Sequence, residues 1–218
     1  MKETLPPRPS ANRNERVQYG CGFSAGASWR NFDASPTLRF ERLPVIGRLY
    51  TKNKQRFPEN VEYGDIVKGL PVQDESCELV YCSHVLEHLA LEDMRTALKN
   101  TYCMLRKGGR FRVVVPDLEK LVHDYVQDRS EEAAISFVRE TALGRERRRK
   151  TLRAFLVEWL GSGQHFWMWD YRSLGRELRA AGFTEVRRAA FGDCDDPAFA
   201  EVEDVERWRD CLGVDCRK

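Results

Sequence analysis

The sequence predicts an α/β domain built on a largely parallel sheet, and three observations carry that expectation. Short apolar runs bounded by turn residues alternate along the chain with stretches of helical period, the pattern of parallel strands joined by helices. The run Leu79-Val-Tyr-Cys82 has the character of a buried strand and is set off by Asp74, Glu75 and Ser76. Directly after Ser83 the period changes: Val85, Leu86 and Leu89 fall at one-, three- and four-residue spacings. A buried strand is therefore expected to run straight into a helix, with Ser83, His84, Glu87 and His88 at the junction or one turn beyond. Open α/β sheets bind ligands past the carboxyl ends of their strands, which places the chemistry here.

The remaining elements follow in order. Val17 to Gly22 is a short strand ending in a glycine turn, and Trp29 to Asp33 is a second strand stopped by Ala34-Ser-Pro36. Leu38 to Tyr50 mixes apolar and basic residues around Pro44 and Gly47 and supports only irregular helical turns. Val61 to Ile66 alternates as a third strand. Glu92 to Leu105 sets Met94, Ala97, Leu98, Tyr102 and Leu105 on one face, an amphipathic helix that Lys107-Gly-Gly109 is expected to end. Phe111 to Val115 is a fifth strand closed by Pro116-Asp117. Leu118 to Leu160 reads as helical with a break at Gly144, and Gly161-Ser-Gly163 as a loop. Tyr171 to Ala181 is a helix capped by Asp170 and ended by Gly182. Phe183 to Phe191 is a strand, Asp193 to Asp204 an acidic loop or broken helix, and Cys211 to Arg217 a final strand.

Composition narrows the function classes. A chain of 218 residues can bury a full core, and its net charge of +2 creates no overall field favouring nucleic acid or membrane. No apolar run approaches the ~18 residues of a membrane span. Residues 1–14 carry no apolar core and are expected to be a disordered leader before a domain over 15–218. The seven cysteines form no C-x-x-C pair, and Cys21, Cys82 and Cys103 lie in apolar segments. Reduced, mostly buried thiols in a cytoplasmic protein are the expectation.

Several short motifs carry chemistry. Gly20-Cys-Gly22 allows a sharp bend and close approach of a ligand to the main chain, whose N–H groups can cradle an anion. Extended to Ala25 it reads G-x-G-x-x-A, the dinucleotide fingerprint, yet Phe23 to Ser28 is too short for the crossover helix that carries a pyrophosphate. Asp33, ending the second strand, can accept both hydroxyls of a ribose, or it can be a turn residue before Pro36. Asp65, ending the third strand, has the same two readings, as an acceptor for an adenine amino group with Ile66 on the ring, or as a turn.

This ordered set resembles the class I S-adenosylmethionine-dependent methyltransferases, most of all their small bacterial type 11 members. The matching stretches are Tyr19 to Gly22, Trp29 to Asp33, Gly64 to Ile66, Leu70-Pro71 with Ser83 to His88, Leu105 to Arg110 with Val115 to Asp117, and Trp169-Asp-Tyr171 with Ala181 to Phe183. The resemblance implies a Rossmann-like, mostly parallel sheet, with the first crossover helix shortened or absent and a helical lid at about 118–160. It also implies S-adenosylmethionine as cofactor. Tyr19, Gly20, Cys21 and Gly22 would cradle its methionine end and Asp33 its ribose. Asp65 and Ile66 would frame its adenine, and Ser83 and His84 would line the methyl-donor cleft. Gln18 stands where many members carry an acidic residue, and the glycine loop is shorter than theirs. Relatives of this shape often accompany polysaccharide synthesis, which suggests a small polar, sugar-like acceptor and O-methylation. A non-catalytic S-adenosylmethionine- or nucleoside-binding protein is the alternative.

The acceptor side rests on three further features. His84-Val-Leu-Glu-His88 fits H-x-x-E-H, the inverted zinc-protease motif, whose two histidines share a metal on one helix face. The methyltransferase pattern accounts for the same letters, so no metal is expected and a zinc hydrolase is a remote alternative. Arg145 to Lys150 carries five cations, a solvated face or a clamp for an anionic sugar. Phe166 to Tyr171 is dense in aromatics that suit the apolar faces of sugars. His165, which opens that run after a glycine loop, is the expected general base and His84 the second candidate.

Overall fold

The structure is a computed structural model that describes residues 14–44, 47, 55–145 and 164–218. Seven strands form one sheet: β1 (Glu15–Tyr19), β2 (Arg30–Asp33), β3 (Val61–Tyr63), β4 (Cys77–Ser83), β5 (Leu105–Pro116), β6 (Thr184–Ala189) and β7 (Cys211–Arg217). Their spatial order is β3-β2-β1-β4-β5-β7-β6. Pairs from β3 to β5 are parallel, whereas β7 runs antiparallel to both its neighbours. The expected α/β fold with a mostly parallel sheet is present.

The two faces of the sheet are covered differently. Side chains of β4 and β5 alternate between them, as a pleated strand buried on both sides must. Val80, Cys82, Phe111, Val113 and Val115 face the larger core, under α2 (Leu91–Met104) and α5 (Tyr171–Ala180), which bring Met94, Leu98, Leu174 and Leu178. Leu79, Tyr81 and Val114 face the other side, where Trp29, Phe199, Val202 and Trp208 pack on them.

That second face shows where the missing helix went. The ten residues 20–29 between the parallel strands β1 and β2 contain no helix. Their side of the sheet is instead covered by the segment between β6 and β7, with a short 3₁₀ turn at Pro197–Glu201 and the four-residue α6 at Val205–Trp208. Trp29 Nε1 donates to the Ala198 carbonyl at 3.1 Å, and Ser28 donates through N and Oγ to Glu201 at 2.9 and 2.6 Å. Arg112 of β5 is fully buried on this face. It is paired with Glu203, Asp193 and Asp215 at 2.5, 2.8 and 3.2 Å, and lies 4.7 Å over the Trp208 ring.

Three sequence expectations change. The strand β4 does not run straight into a helix: a 3₁₀ turn at Leu86–His88 intervenes and α2 begins at Leu91. The cause is that His84 adopts a left-handed φ of 54° and Val85 folds back over Gly20. Lys107-Gly-Gly109 does not end α2 but lies within β5, because Gly108 N and Gly109 O pair with Lys218 at 2.8 and 3.0 Å. The third strand stops at Tyr63, and Asp65 belongs to the turn after it, where its Oδ1 accepts from Val67 N at 3.0 Å.

Helical character after Leu118 is present in α3 (Leu118–Gln127) and α4 (Ala133–Glu140), joined through Tyr125 and Phe137, whose rings lie 5.3 Å apart. The loop Gly161–Gly163 and the cluster beyond Arg145 lie outside the described residues, as does the leader before Asn14. Among the described residues no helix is long and apolar enough to cross a membrane.

Candidate active site

The carboxyl ends of β1, β2 and β4 meet at one edge. Gly20 and Gly22 follow β1 with φ of 67° and 55°, values at which a side chain is strained. Their surroundings differ. A Cβ on Gly20 would run into Val85, so packing requires that glycine, whereas a Cβ on Gly22 would meet only Arg207 Nη1 at 3.9 Å. Gly22 thus borders open space, a cradle that a side chain would fill. Asp33 ties the turn to β2, accepting from Gly22 N at 3.0 Å through Oδ2 and from Ser35 N at 2.7 Å through Oδ1. Each carboxylate oxygen keeps acceptor capacity beyond these bonds.

Two of the expected residues bring only their backbone here. Tyr19 is buried in the main core with its hydroxyl 3.2 Å from Thr101 Oγ1. The Cys21 thiol packs with Leu38, Phe57 and Val61, and burial pushes its pKa up to about 12. Ile66 is buried in the main core, and the Asp65 carboxylate also pairs with Lys68 at 3.0 Å.

Sequence reasoning missed Arg207. It stands on α6, 124 residues from Ser83 in sequence, yet its Nε donates to Ser83 Oγ at 3.1 Å and its Nη2 to the Ser83 carbonyl at 2.5 Å. A guanidinium is thereby fixed between the end of β4 and the glycine turn. No local motif marks it, because the segment that delivers it replaces a helix expected elsewhere in the chain.

His84 is held on two sides. Its Nε2 lies 2.9 Å from the Arg207 carbonyl and its Nδ1 lies 3.1 Å from Glu87 Oε1. Burial opposes its charge, but the contacts with Cys211, Glu87 and the Arg207 carbonyl carry its pKa up to about 10. Both ring nitrogens face acceptors, so the ring keeps both protons at neutral pH and has no lone pair to act as a base.

His165 is held by a different segment. Segment 164–169 threads across the strand ends: Phe166 N and Trp167 N donate to the Glu87 carbonyl at 2.8 and 3.1 Å, and Leu118 N donates to the Trp169 carbonyl at 2.9 Å. The His165 ring meets the His88 ring edge-on at 4.9 Å. Its Nδ1 lies 2.8 Å from the Thr141 carbonyl, so that nitrogen is the protonated one and Nε2 keeps its lone pair. Burial, reinforced by His88 against the pull of Glu87, lowers its pKa below the ordinary 6.5. Phe166 and Trp167 are exposed beside it, while Trp169 is buried. Arg145 reaches back to this segment, donating to Gln164 Oε1 at 3.1 and 2.9 Å.

Comparison with known proteins agrees with this architecture. Residues 18–113 match the family model of the methyltransferase domain called Methyltransf_11. No curated protein matches the chain. Among solved structures, an S-adenosylmethionine-dependent methyltransferase from Thermotoga maritima, described as a possible histamine N-methyltransferase, is 18% identical with a TM-score of 0.50. The match covers 96% of this chain and 83% of that one. One from Mesorhizobium loti is 19% identical over 96% and 93% of the two chains, with a TM-score of 0.45. A Haemonchus contortus phosphoethanolamine N-methyltransferase in complex with S-adenosyl-L-methionine is 11% identical over 96% and 50%, with a TM-score of 0.48. The domain match starts one residue before Tyr19 and runs through the β4 end and α2 into β5, enclosing the glycine turn, Asp33 and Ser83. Over residues 18–113, a little under half of the chain, the sequence matches a methyltransferase domain, set on the mostly parallel α/β fold described above.

Proposed function

We propose that the protein moves the methyl group of S-adenosylmethionine to an oxygen of a small polar, sugar-like acceptor. The observation that carries this reading is the meeting of His165, with its free Nε2, and the exposed rings of Phe166 and Trp167 beside the strand ends that also hold Ser83 and His84. The cofactor, when bound, supplies a methyl group already activated on sulfonium. The chain's own work is positioning, which can supply ~7–11 kcal/mol of the barrier, and removal of the acceptor proton.

Gly22 and its open flank fit the methionine end, and the Arg207 guanidinium beside it suits the carboxylate of that end. Asp33 fits the ribose. Asp65 and Ile66 remain the adenine side of the same edge. His165 takes the acceptor's proton at Nε2, while the aromatic rings receive the flat faces of the acceptor. The helices α3 and α4, whose following residues Thr141 and Ala142 hold His165, act as a cover over this acceptor region.

Calorimetry with S-adenosylmethionine, and mass-spectrometric detection of methylated sugar-type acceptors, test the proposal. Asp33→Ala is expected to weaken cofactor affinity at least tenfold in a folded protein, since hydrogen bonds to a charged group are worth ~1.5–3 kcal/mol. Unchanged affinity in that variant overturns the ribose assignment. His165→Ala is expected to lower kcat and leave cofactor affinity intact; a normal kcat removes the base assignment.

A further inference from the structure

We infer that Glu87, His88 and His165 form a binding site for one divalent transition metal of zinc's type. Their ligand atoms all lie within 4.8 Å of one another, although the third residue comes from a segment 77 positions further along the chain. Donors on one tetrahedral zinc lie about 3.3 Å apart at bond lengths of 2.0–2.2 Å, so small side-chain rotations bring the three onto one ion.

The strongest sign is Glu87. Its side chain is fully buried, and neither carboxylate oxygen has a hydrogen-bond partner among the described residues. His84 Nδ1 is 3.1 Å from Oε1, an ion-pair distance without hydrogen-bond geometry, and Oε2 has no such neighbour. The His84 imidazolium offsets part of the cost of burying this carboxylate, but both oxygens keep unfilled acceptor capacity that a metal ion would take up.

The histidines are prepared as ligands. His88 Nδ1 lies 3.1 Å from the Gln164 carbonyl and His165 Nδ1 lies 2.8 Å from the Thr141 carbonyl. Each carbonyl fixes a proton on Nδ1 and leaves Nε2 as the donor atom, the arrangement that metal-ligating histidines use to set their tautomer. The cluster is braced by the bonds from Phe166 N and Trp167 N to the Glu87 carbonyl, which lock the two segments together. Two imidazoles and one carboxylate suit zinc, cobalt or ferrous ion rather than magnesium or calcium, and three protein ligands leave a coordination position open.

The site is distinct from the one the H-x-x-E-H spacing suggested. That reading paired His84 with His88 on a helix; here the residues after β4 form a 3₁₀ turn, and His84 turns its Nε2 to the Arg207 carbonyl and Cys211, touching the cluster only through Nδ1 beside Glu87. Where the proposal touches the methyl-transfer reading, it deepens it. An acceptor hydroxyl bound at the open position loses its proton more readily, the proton passing to water, and the metal takes over the work otherwise given to the His165 lone pair.

The test uses the full chain without an affinity tag that binds metal, stripped with a chelator and titrated with zinc or cobalt alone. One equivalent is expected to bind at micromolar Kd or tighter, with cobalt giving the visible spectrum of a four- or five-coordinate site and zinc raising the Tm. His88→Ala and His165→Ala are each expected to weaken binding at least 100-fold, and Glu87→Gln to abolish the metal-dependent Tm rise. His123→Ala, a control on α3, should behave as the unmodified protein. S-adenosylmethionine binding, measured in parallel, reports whether each variant is folded. Absence of stoichiometric binding, or binding unaffected in the two histidine variants, overturns the proposal. No donor or acceptor is needed for this measurement, so its failure leaves methyl transfer standing, and failure of methyl transfer leaves the metal result standing.

Discussion

The two faces of the sheet solve the same burial problem by opposite means. Under α2 and α5 the cover is aliphatic and periodic, with Met94, Leu98, Leu174 and Leu178 laid on the strands. Under the segment between β6 and β7 the cover is aromatic, and the charged Arg112 and its carboxylates are enclosed within it. The first face gains its stability chiefly from apolar area. The second depends on every member of an ionic cluster being present, since a buried charge that loses its partner is penalised heavily. The second face also carries Arg207, which sequence alone did not single out, so the ionic construction lies against the candidate site.

Breaking the ionic face should have the largest effect. Arg112→Met leaves Glu203 buried without its cation and Asp215 with only the more distant Arg110 and Arg187, and is expected to cost about 3–5 kcal/mol. The denaturant midpoint of the variant checks it; a loss below 1 kcal/mol would mean the cluster is not needed for the fold. On the aliphatic face, Leu178→Ala is expected to cost about 3 kcal/mol through transfer and cavity terms, with a loss that changes little between pH 7 and pH 3.

The smallest effect sharpens the contrast through acid. Burial alone would raise the Asp193 carboxylate, but Arg187, the Ala190 N–H and Arg112 outweigh it and hold it at about 2. A carboxylate lowered in the fold contributes fully above its unfolded pKa of about 4, and the contribution disappears as pH falls through about 2. Stability should therefore decline between those values. Asp193→Asn should lower stability at pH 7 and flatten part of the decline. Urea midpoints at pH 7, 4 and 2.5 measure this, and an identical acid profile in the variant would remove Asp193 from the account.

The same contrast explains what the sequence made legible. The helix α5 was readable because its signals are local: Asp170 accepts from Ser173 N at 2.7 Å to form the cap, and Gly182 at φ 107° ends it. The central strand and the glycine turn were readable for the same reason. The turn after β4 was not, because the left-handed His84 and the seat of Val85 on Gly20 are set by a contact 65 residues distant in sequence. The place of Lys107 to Gly109 inside β5 depends on pairing with Lys218, and the Arg207 guanidinium depends on Ser83. At the site, the strand-end positions of Gly20, Gly22, Asp33 and Ser83 followed from local pattern, whereas the approach of His165 to Glu87 and His88 needed the folded chain.

The strand β7 has a consequence for the timing of assembly. It follows β6 in the sequence, yet it lies inside the sheet between β5 and β6, and among the described residues β6 pairs with no other strand. During synthesis β6 therefore emerges before the strand it pairs with, although α5 is already there to receive it, the Tyr171 hydroxyl donating to the Val186 carbonyl at 3.0 Å. The segment 193–210 gains its anchor at the far end only when β7 pairs with β5, so its cover over Trp29 is completed after residues 211–217 emerge. The parallel core from β3 to β5 can assemble earlier, but the face that presents Arg207 to the site must form at the end. Completion of the donor side is thus tied to the arrival of the final strand.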